Sequence, residues 1–246
     1  FRRVLFRSQL NFGWSNHTFM HLLFRLFFVV PSLWILFSCS RQPETLFVSM
    51  QPDQTGIHFK NQLFEDGPMN VSNYIYFYNG GGVAVGDINN DGLQDLLFTG
   101  NMVRNRLYLN KGNFVFEDIT KKAGVDALQG WCTGATFVDI NADGLLDIYI
   151  CRSADINPEM RRNLLFINNG DQTFTEKARE YGLGDMGYST QAAFFDYDKD
   201  GDLDMYLLRN AFVSYNRNTA RSKMTDGGAP STDCLYRNDG KGYFTD

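Results

Sequence analysis

The sequence predicts an all-β fold made of repeated units, each of them a four-stranded antiparallel meander. Three observations lead to this prediction. A nine-residue motif of the form Asp-x-Asx-x-Asp-Gly-x-x-Asp begins at Asp87, at Asp139 and again at Asp196. Short apolar runs with the composition of strands flank each copy. The spacing of 52 and 57 residues between the copies suits one blade of a β-propeller.

The four strands of each unit are predicted from segments that align between the repeats. The first strands are 82–86, 134–138 and 191–195, and the second strands are 96–98, 148–150 and 205–208. The third strands are 105–110, 163–168 and 233–238, and the fourth, after a glycine turn, are 114–118, 173–176 and 243–246. A twisted sheet of four strands cannot bury both faces alone, so neighbouring units are expected to stack. The predicted blades are 83–125, 131–183 and 190–246.

The motif between the first and second strands has the composition of a calcium loop. Oxygen-bearing side chains occupy positions 1, 3, 5 and 9, and glycine occupies position 6. Calcium takes six to eight oxygen ligands, which alternate side chains of a curled loop and the carbonyl of position 7 can supply. Glycine permits the sharp reversal because it has no Cβ to penalise a positive φ. About three calcium sites are therefore predicted, with the ligands Asp87, Asn89, Asp91, Leu93, Asp95, Asp139, Asn141, Asp143, Leu145, Asp147, Asp196, Asp198, Asp200, Asp202 and Asp204.

Two other kinds of loop have a similar composition. An EF-hand loop begins in the same way but needs a glutamate at position 12, where this chain has Phe98, Ile150 and Leu207 in strand-like runs. An acidic turn between strands is the other alternative, because Asn, Asp and Gly are good turn residues. A metal is favoured over the bare turn, since several uncompensated carboxylates in one turn repel each other.

The N-terminal part of the chain has the character of an export signal. Residues 20–38 combine Arg25 with an apolar run at 26–37, which is typical of a secretory signal peptide and short for a membrane span. The segment 36–39 resembles the bacterial lipobox, so Cys39 is the predicted lipidation site. A plain signal peptide or a short anchor is the alternative.

The flanking segments have separate interpretations. Residues 1–19 are interpreted as a non-native leader, because 3–8 resembles the translation of a sequencing-adapter end. Residues 39–55 are predicted to be a polar tether that contains prolines, and 56–82 an N-terminal strand region.

Charge and cysteine content exclude some classes of function. The formal net charge is −5, and residues 1–38 hold four arginines and no acids, so the remainder carries −9. An acidic exported chain is a poor candidate for nucleic-acid binding, which relies on basic patches. Cys132, Cys151 and Cys234 lack the spacing of a metal site and are expected to be small buried residues.

Two stretches resemble a known family. Residues 78–95 and 116–125 resemble the FG-GAP or VCBS repeat of integrin-α-like propellers, and in particular bacterial surface lipoproteins of the ASPIC/UnbV and cartilage-acidic-protein group of Bacteroidota type. The resemblance covers about residues 33–246 and implies a propeller of roughly seven blades whose motif positions 1, 3, 5, 7 and 9 bind calcium. Since propellers typically have four to eight blades, the chain is expected to be an N-terminal fragment containing a partial propeller.

The function that follows is a calcium-binding module of a lipid-anchored protein in the bacterial cell envelope, at the outer membrane or cell surface. Its expected partners are extracellular glycans or proteins, and no catalysis is expected. A calcium-dependent polysaccharide lyase or hydrolase is the alternative, and a purely structural spacer is another. His58 is the only histidine after Cys39, which disfavours a histidine-based triad or a zinc site. A lyase with an Arg, Lys or Tyr base is left open.

The connections between the second and third strands are the predicted partner-binding surface. They emerge on the face opposite the calcium loops, lengthen along the chain and are basic. An anionic partner such as an acidic glycan is expected to contact Arg161, Arg162, Phe212, Tyr215, Arg217, Arg221 and Lys223. The alternative is that these arginines pair with neighbouring blades or are solvated.

Overall fold

The computed structural model describes residues 45–65, 67, 69–126, 130–210 and 231–246. The chain divides into two units, Phe1–Ser49 and Met50–Asp246, and the strands of the described residues lie in the second one. The leader, the signal peptide and Cys39 lie outside the described residues. None of the helices in the described part of the chain has the length and apolar character needed to span a bilayer.

Three sheets of four strands form the second unit. Sheet 1 contains β1 (Val83–Gly86), β2 (Asp95–Phe98), β3 (Arg106–Asn110) and β4 (Phe116–Asp118). Sheet 2 contains β5 (Trp131–Val138), β6 (Asp147–Ser153), β7 (Leu164–Asn168) and β8 (Phe174–Glu176). Sheet 3 contains β9 (Ser189–Phe195), β10 (Asp204–Arg209), β11 (Cys234–Asn238) and β12 (Phe244–Thr245). The short helices of the described residues are α1 (Pro52–Thr55), α2 (Thr120–Ala123) and α3 (Pro158–Arg161).

Each sheet is an antiparallel meander in which every strand pairs with the next one along the chain. The prediction of three four-stranded antiparallel units is therefore confirmed, and the arrangement is consistent with part of a β-propeller.

The middle sheet packs against a neighbouring sheet on each of its faces, and this stacking buries both faces. Side chains of a strand alternate between the two faces of its sheet. In β6, Ile148 and Ile150 belong to the core shared with sheet 1, whereas Tyr149 and Cys151 belong to the core shared with sheet 3. All four side chains are at most 1% exposed. Burying each large apolar side chain contributes about 1.5–3 kcal/mol, so the cores between sheets hold the repeats together.

The first strands of the sheets lie side by side, and glycine permits their close approach. A Cβ on Gly82 would lie 2.6 Å from the Thr133 carbonyl oxygen, and a Cβ on Gly134 would lie 2.5 Å from the Thr190 carbonyl oxygen. Gln191 occupies the equivalent position of the third repeat. Hydroxyl groups join the neighbouring strands as well, since the Thr133 hydroxyl donates to the Ser189 carbonyl at 2.9 Å.

The segment before β1 differs from its prediction. The described part of 56–82 contains no strand, and 39–55 includes helix α1. Instead, Phe59 stacks on Phe98 with ring centroids 5.2 Å apart, on the side of sheet 1 that faces away from sheet 2. Residues 70–79 form turns held by Asn70 and Asn73. The segment therefore gains its contacts through side chains and turns rather than through a strand ladder.

Candidate metal centre

The loops after β1, β5 and β9 share one curled conformation. The first aspartate of each loop accepts backbone N–H groups from positions 5 and 6, as at Asp87, where the Asp91 and Gly92 nitrogens lie 3.1 and 2.7 Å from its carboxylate oxygens. Asp139 and Asp196 accept the equivalent bonds in their loops. The residues at positions 4 and 6 have a positive φ throughout, and they are Asn90, Gly92, Ala142, Gly144, Lys199 and Gly201.

The aspartate at position 5 also stabilises the curled conformation of each loop. The carboxylate of Asp91 accepts the N–H of Leu93 at 2.8 Å, and Asp143 and Asp200 do the same for position 7 of their loops. The position-7 carbonyls predicted as ligands, those of Leu93, Leu145 and Asp202, accept no hydrogen bond from the described residues. Their lone pairs are therefore available to a cation.

The last aspartate of each loop is fully buried. Asp95, Asp147 and Asp204 are all 0% exposed. One carboxylate oxygen of Asp147 accepts the N–H of Ile140 at 3.2 Å, and the other accepts the N–H of Asn168 at 2.8 Å. Asp95 and Asp204 repeat this pair of bonds. An ionised carboxylate offers about four lone-pair sites, so these bonds leave room for a metal ion.

The burial of these aspartates disfavours their charge. Burial raises the pKa of Asp147 from 3.8 to about 6, and repulsion by Asp143 and Asp139 adds to that rise. Burial likewise raises the pKa of Asp95, with smaller contributions from Asp91 and Asp87. Hydrogen bonds from the backbone act in the opposite direction at both sites. A bound cation would relieve this penalty because it favours the ionised form.

Position 3 leaves an unsatisfied oxygen in the first loop. The side-chain N–H of Asn89 donates to the Asp91 carboxylate at 3.0 Å, while its amide oxygen is buried and has no hydrogen-bond partner. A buried acceptor without a partner costs free energy. Such an oxygen fits the hard-cation chemistry of calcium, which takes amide and carboxylate ligands.

The third loop brings carboxylates together most closely. Asp196, Asp198 and Asp204 each place one oxygen within 4.8 Å of the others. Calcium–oxygen distances are about 2.3–2.6 Å, so ligands of one ion lie up to about 5 Å apart. The three residues therefore fit a single calcium ion. Arg237 lies 3.1 Å from Asp198 and offsets part of the negative charge.

An asparagine at the end of each third strand holds the loop in place, and the sequence prediction assigned it no such role. Asn110, Asn168 and Asn238 donate their backbone N–H groups to the buried aspartates. The side chain of Asn168 also donates to the carbonyls of Ile88, at 2.8 Å, and Leu146, at 3.1 Å. The first two loops are thereby linked through the side chain of Asn168 at the end of β7. The signal was the recurrence of Asn at this position in all three repeats.

The predicted partner-binding residues are placed only in part. The Arg161 guanidinium donates to the carbonyls of Asp155 and Met186 and lies 4.3 Å from the ring centroid of Tyr188. Arg162 pairs with Glu159 at 2.5 Å and is 17% exposed. The remaining predicted contacts, Phe212, Tyr215, Arg217, Arg221 and Lys223, lie outside the described residues.

The cysteines have the environment that was expected of them. Cys132, Cys151 and Cys234 are buried and free of disulfide bonds. Burial raises the pKa of the Cys132 thiol, and it raises that of Cys234 to about 12. These thiols are therefore protonated at neutral pH and act as small core residues, which confirms the prediction.

Comparison with known proteins identifies the repeat. Residues 87–150 and 154–207 match the family model of the FG-GAP-like repeat. These two stretches are similar to FG-GAP-like repeats. Cartilage acidic protein 1 of Xenopus tropicalis is 31% identical over 137 residues, which make up 55% of this chain and 20% of that protein. The chain thus spans about a fifth of the length of the curated relative it matches. These two matches confirm the predicted resemblance to FG-GAP repeats and to the cartilage-acidic-protein group.

Proposed function

We propose that this chain is an extracellular binding module whose FG-GAP-like repeats are stabilised by calcium in all three loops. The observation that carries the metal assignment is the convergence of Asp196, Asp198 and Asp204 within 4.8 Å. The buried amide oxygen of Asn89 supports a cation in the first loop as well. Calcium would supply positive charge and would hold each loop in its curl, while the buried aspartates anchor the loop to the third strand.

Calorimetric titration of the metal-free protein with calcium tests this proposal. The expected result is about three sites per chain, with dissociation constants at or below the range of about 10⁻⁴–10⁻³ M that is common in extracellular modules. Magnesium is the control ion, because it demands a smaller octahedral shell and gives up its water reluctantly. Heats no larger than those of dilution would overturn the metal assignment.

The proposed location is the bacterial cell envelope, with a lipid anchor at Cys39. This part rests on the sequence, where the lipobox-like segment 36–39 follows an apolar run. Cys39→Ser is expected to release the protein from membranes or to block signal processing, which fractionation and the mass of the processed chain will report. Normal processing with unchanged membrane association in that variant would contradict the anchor.

The proposed partners are glycans or proteins outside the cell. FG-GAP-like repeats are typically non-catalytic, and the alternative of a calcium-dependent polysaccharide lyase or hydrolase stays a prediction from the sequence. The basic connections remain the proposed surface for an anionic partner. Glutamate at Arg217, Arg221 and Lys223 together is expected to abolish binding to acidic glycans on an array while calcium binding persists. Retained binding would remove this surface from consideration.

A further inference from the structure

A cavity of about 280 Å³ opens at the end of the first strands that is remote from the metal loops. The loops follow the carboxyl ends of β1, β5 and β9, whereas the cavity lies at the amino ends, beside Gly82, Trp131 and Thr190. The turn segment 74–81 and Asn210, which follows β10, supply the other walls. The cavity is thus formed jointly by all three repeats.

The walls combine aromatic rings with uncharged polar groups. The rings are those of Tyr74, Tyr76 and Trp131, and the polar side chains are Asn79, Thr133, Thr190, Gln191 and Asn210. None of the residues that line the cavity, all of them in the described part of the chain, is Asp, Glu, Lys, Arg or His. The lining therefore suits a ligand that is neutral and has both apolar and hydroxyl-like surfaces.

The rings are held in fixed positions. Trp131 meets Tyr74 edge to face with centroids 5.3 Å apart, and Phe77 lies 5.4 Å from the Trp131 ring. Trp131 is 6% exposed and Tyr74 is 2% exposed, so they form the floor of the cavity. Tyr76 is only half-buried and meets Tyr74 at 5.8 Å. It therefore offers the ring surface on which a ligand can stack.

The polar groups have hydrogen-bonding capacity to spare. The amide oxygen of Asn210 is buried and has no partner, which is a cost that a ligand hydroxyl would remove. The side chain of Asn79 makes no hydrogen bond to any described residue. Gln191 donates to the Thr136 hydroxyl at 3.3 Å and retains its oxygen as an acceptor. Donors and acceptors are thus present on several sides of the cavity.

We infer that this cavity binds one neutral sugar unit of a glycan. A sugar ring presents an apolar C–H face to an aromatic ring and hydroxyl groups, each a donor and an acceptor, to amides and hydroxyls. The volume lies near the lower end of ligand pockets, about 300–1,000 Å³, which suits a single ring. A carboxylate entering this cavity would lose water without gaining a cationic partner among the lining residues that the structure describes. The inference deepens the proposed function, on which it rests, by naming the class of glycan.

Tryptophan fluorescence can report on this cavity. The chain has three tryptophans, Trp14, Trp34 and Trp131. In the full chain carrying Trp14→Phe and Trp34→Phe, the emission comes from the cavity floor alone. Titration with the methyl glycosides of glucose, galactose, mannose and N-acetylglucosamine is expected to give a saturable change for at least one of them. A dissociation constant of the order of 1 mM is usual for a ligand of this size.

Two variants and a matched control separate the cavity from the rest of the surface. Tyr76→Ala and Gln191→Ala are each expected to weaken binding at least about tenfold, because the stacking ring or an amide partner is lost. Tyr78→Ala is the control, since Tyr78 is an exposed tyrosine of the same segment that does not line the cavity. Its dissociation constant is expected to equal that of the parent.

The remaining outcomes overturn the inference. They are the absence of saturation with every neutral glycoside, equal weakening by Tyr78→Ala, and saturation with methyl glucuronide or adenosine but with no neutral sugar. Calcium titration of the same protein keeps the two proposals distinguishable. A protein that binds calcium but no neutral sugar refutes the cavity assignment alone, whereas sugar binding without calcium binding refutes the metal assignment alone.

Discussion

At the scale of single residues, the last aspartate of each motif has a structural role that does not depend on the metal. Asp204 is fully buried and accepts N–H groups from Tyr197 and Asn238. Asp204→Ala leaves both donors without a partner, at about 1–3 kcal/mol each. The free energy of unfolding is therefore expected to fall by about 2–6 kcal/mol in chelator as well as in calcium.

Asp200→Ala is the matched comparison for this prediction. Asp200 is exposed and accepts one N–H, from Asp202 at 3.1 Å. Its loss is expected to reduce stability in calcium and to have little effect in chelator. Urea titration in calcium and in chelator measures the change in the free energy of unfolding for each of the two variants. An Asp204→Ala effect that vanishes in chelator would contradict the structural role.

The pH dependence of the metal-free protein follows from Asp147. Its pKa is about 6 in the folded chain against 3.8 ordinarily, so the folded state binds a proton more tightly between these values. Its contribution to stability is then greatest below about pH 4 and is lost as the pH rises through about 6. Asp147→Asn cannot titrate and is expected to have a shallower slope. Urea midpoints of calcium-free protein across this range provide the measurement, and equal slopes for the two proteins would contradict the prediction.

The residue types of the predicted metal ligands could be read from the sequence, but the burial and the hydrogen bonds of these side chains could not. Oxygen side chains at fixed positions identified the loops. Asp95 is buried and accepts the backbone N–H of Asn110 because of the register of β3 beside the loop. The sequence of the loop carries no information on that register. The cavity residues Tyr76, Trp131 and Gln191 could not be predicted as a site for the same reason. They are distant in sequence, and only the stacking of the repeats brings them together.

At the scale of elements, the three loops differ in carboxylate content. The third loop has aspartate at all four side-chain ligand positions, whereas Asn89 and Asn141 replace one in each of the others. Arg237 beside Asp198 is 60% exposed, so that pair contributes only about 0–1 kcal/mol. The third loop is therefore expected to bind calcium most tightly. Asp200→Ala should lower the calcium-dependent stability more than Asp91→Ala does, as measured by thermal melting. The reverse order would contradict this ranking.

The strands could be predicted closely, and the differences have local causes. β4 begins at Phe116 rather than at 114, because Asn113 and Phe114 adopt a positive φ in the preceding turn. β5 extends back to Trp131 across an irregular register between Cys132 and Ala135. The alternating apolar pattern that predicts a strand is interrupted by such an irregularity. Tertiary contacts, rather than local pattern, determine this extension.

At the scale of the whole second unit, stacking between sheets is the main source of stability, and β10 offers a matched test. Leu207 is 0% exposed in the core shared with sheet 2, whereas Leu208, its neighbour, is 44% exposed on the opposite face. Leu207→Ala is expected to cost about 2–5 kcal/mol through the lost contacts and the cavity left behind. Leu208→Ala is expected to cost less than about 1 kcal/mol in this chain. Similar losses in urea titration would contradict the stacked arrangement.

The central claim is that calcium stabilises the repeats, and thermal melting of the full chain tests it most directly. Calcium at about 100 times the dissociation constant of one site adds about 2.7 kcal/mol. For a chain of this size each kcal/mol raises Tm by about 2–4 °C. Melting in calcium is therefore expected at least about 5 °C above melting in EDTA, with magnesium giving a smaller shift. Equal melting temperatures in calcium and EDTA would show that the loops are acidic turns that need no metal.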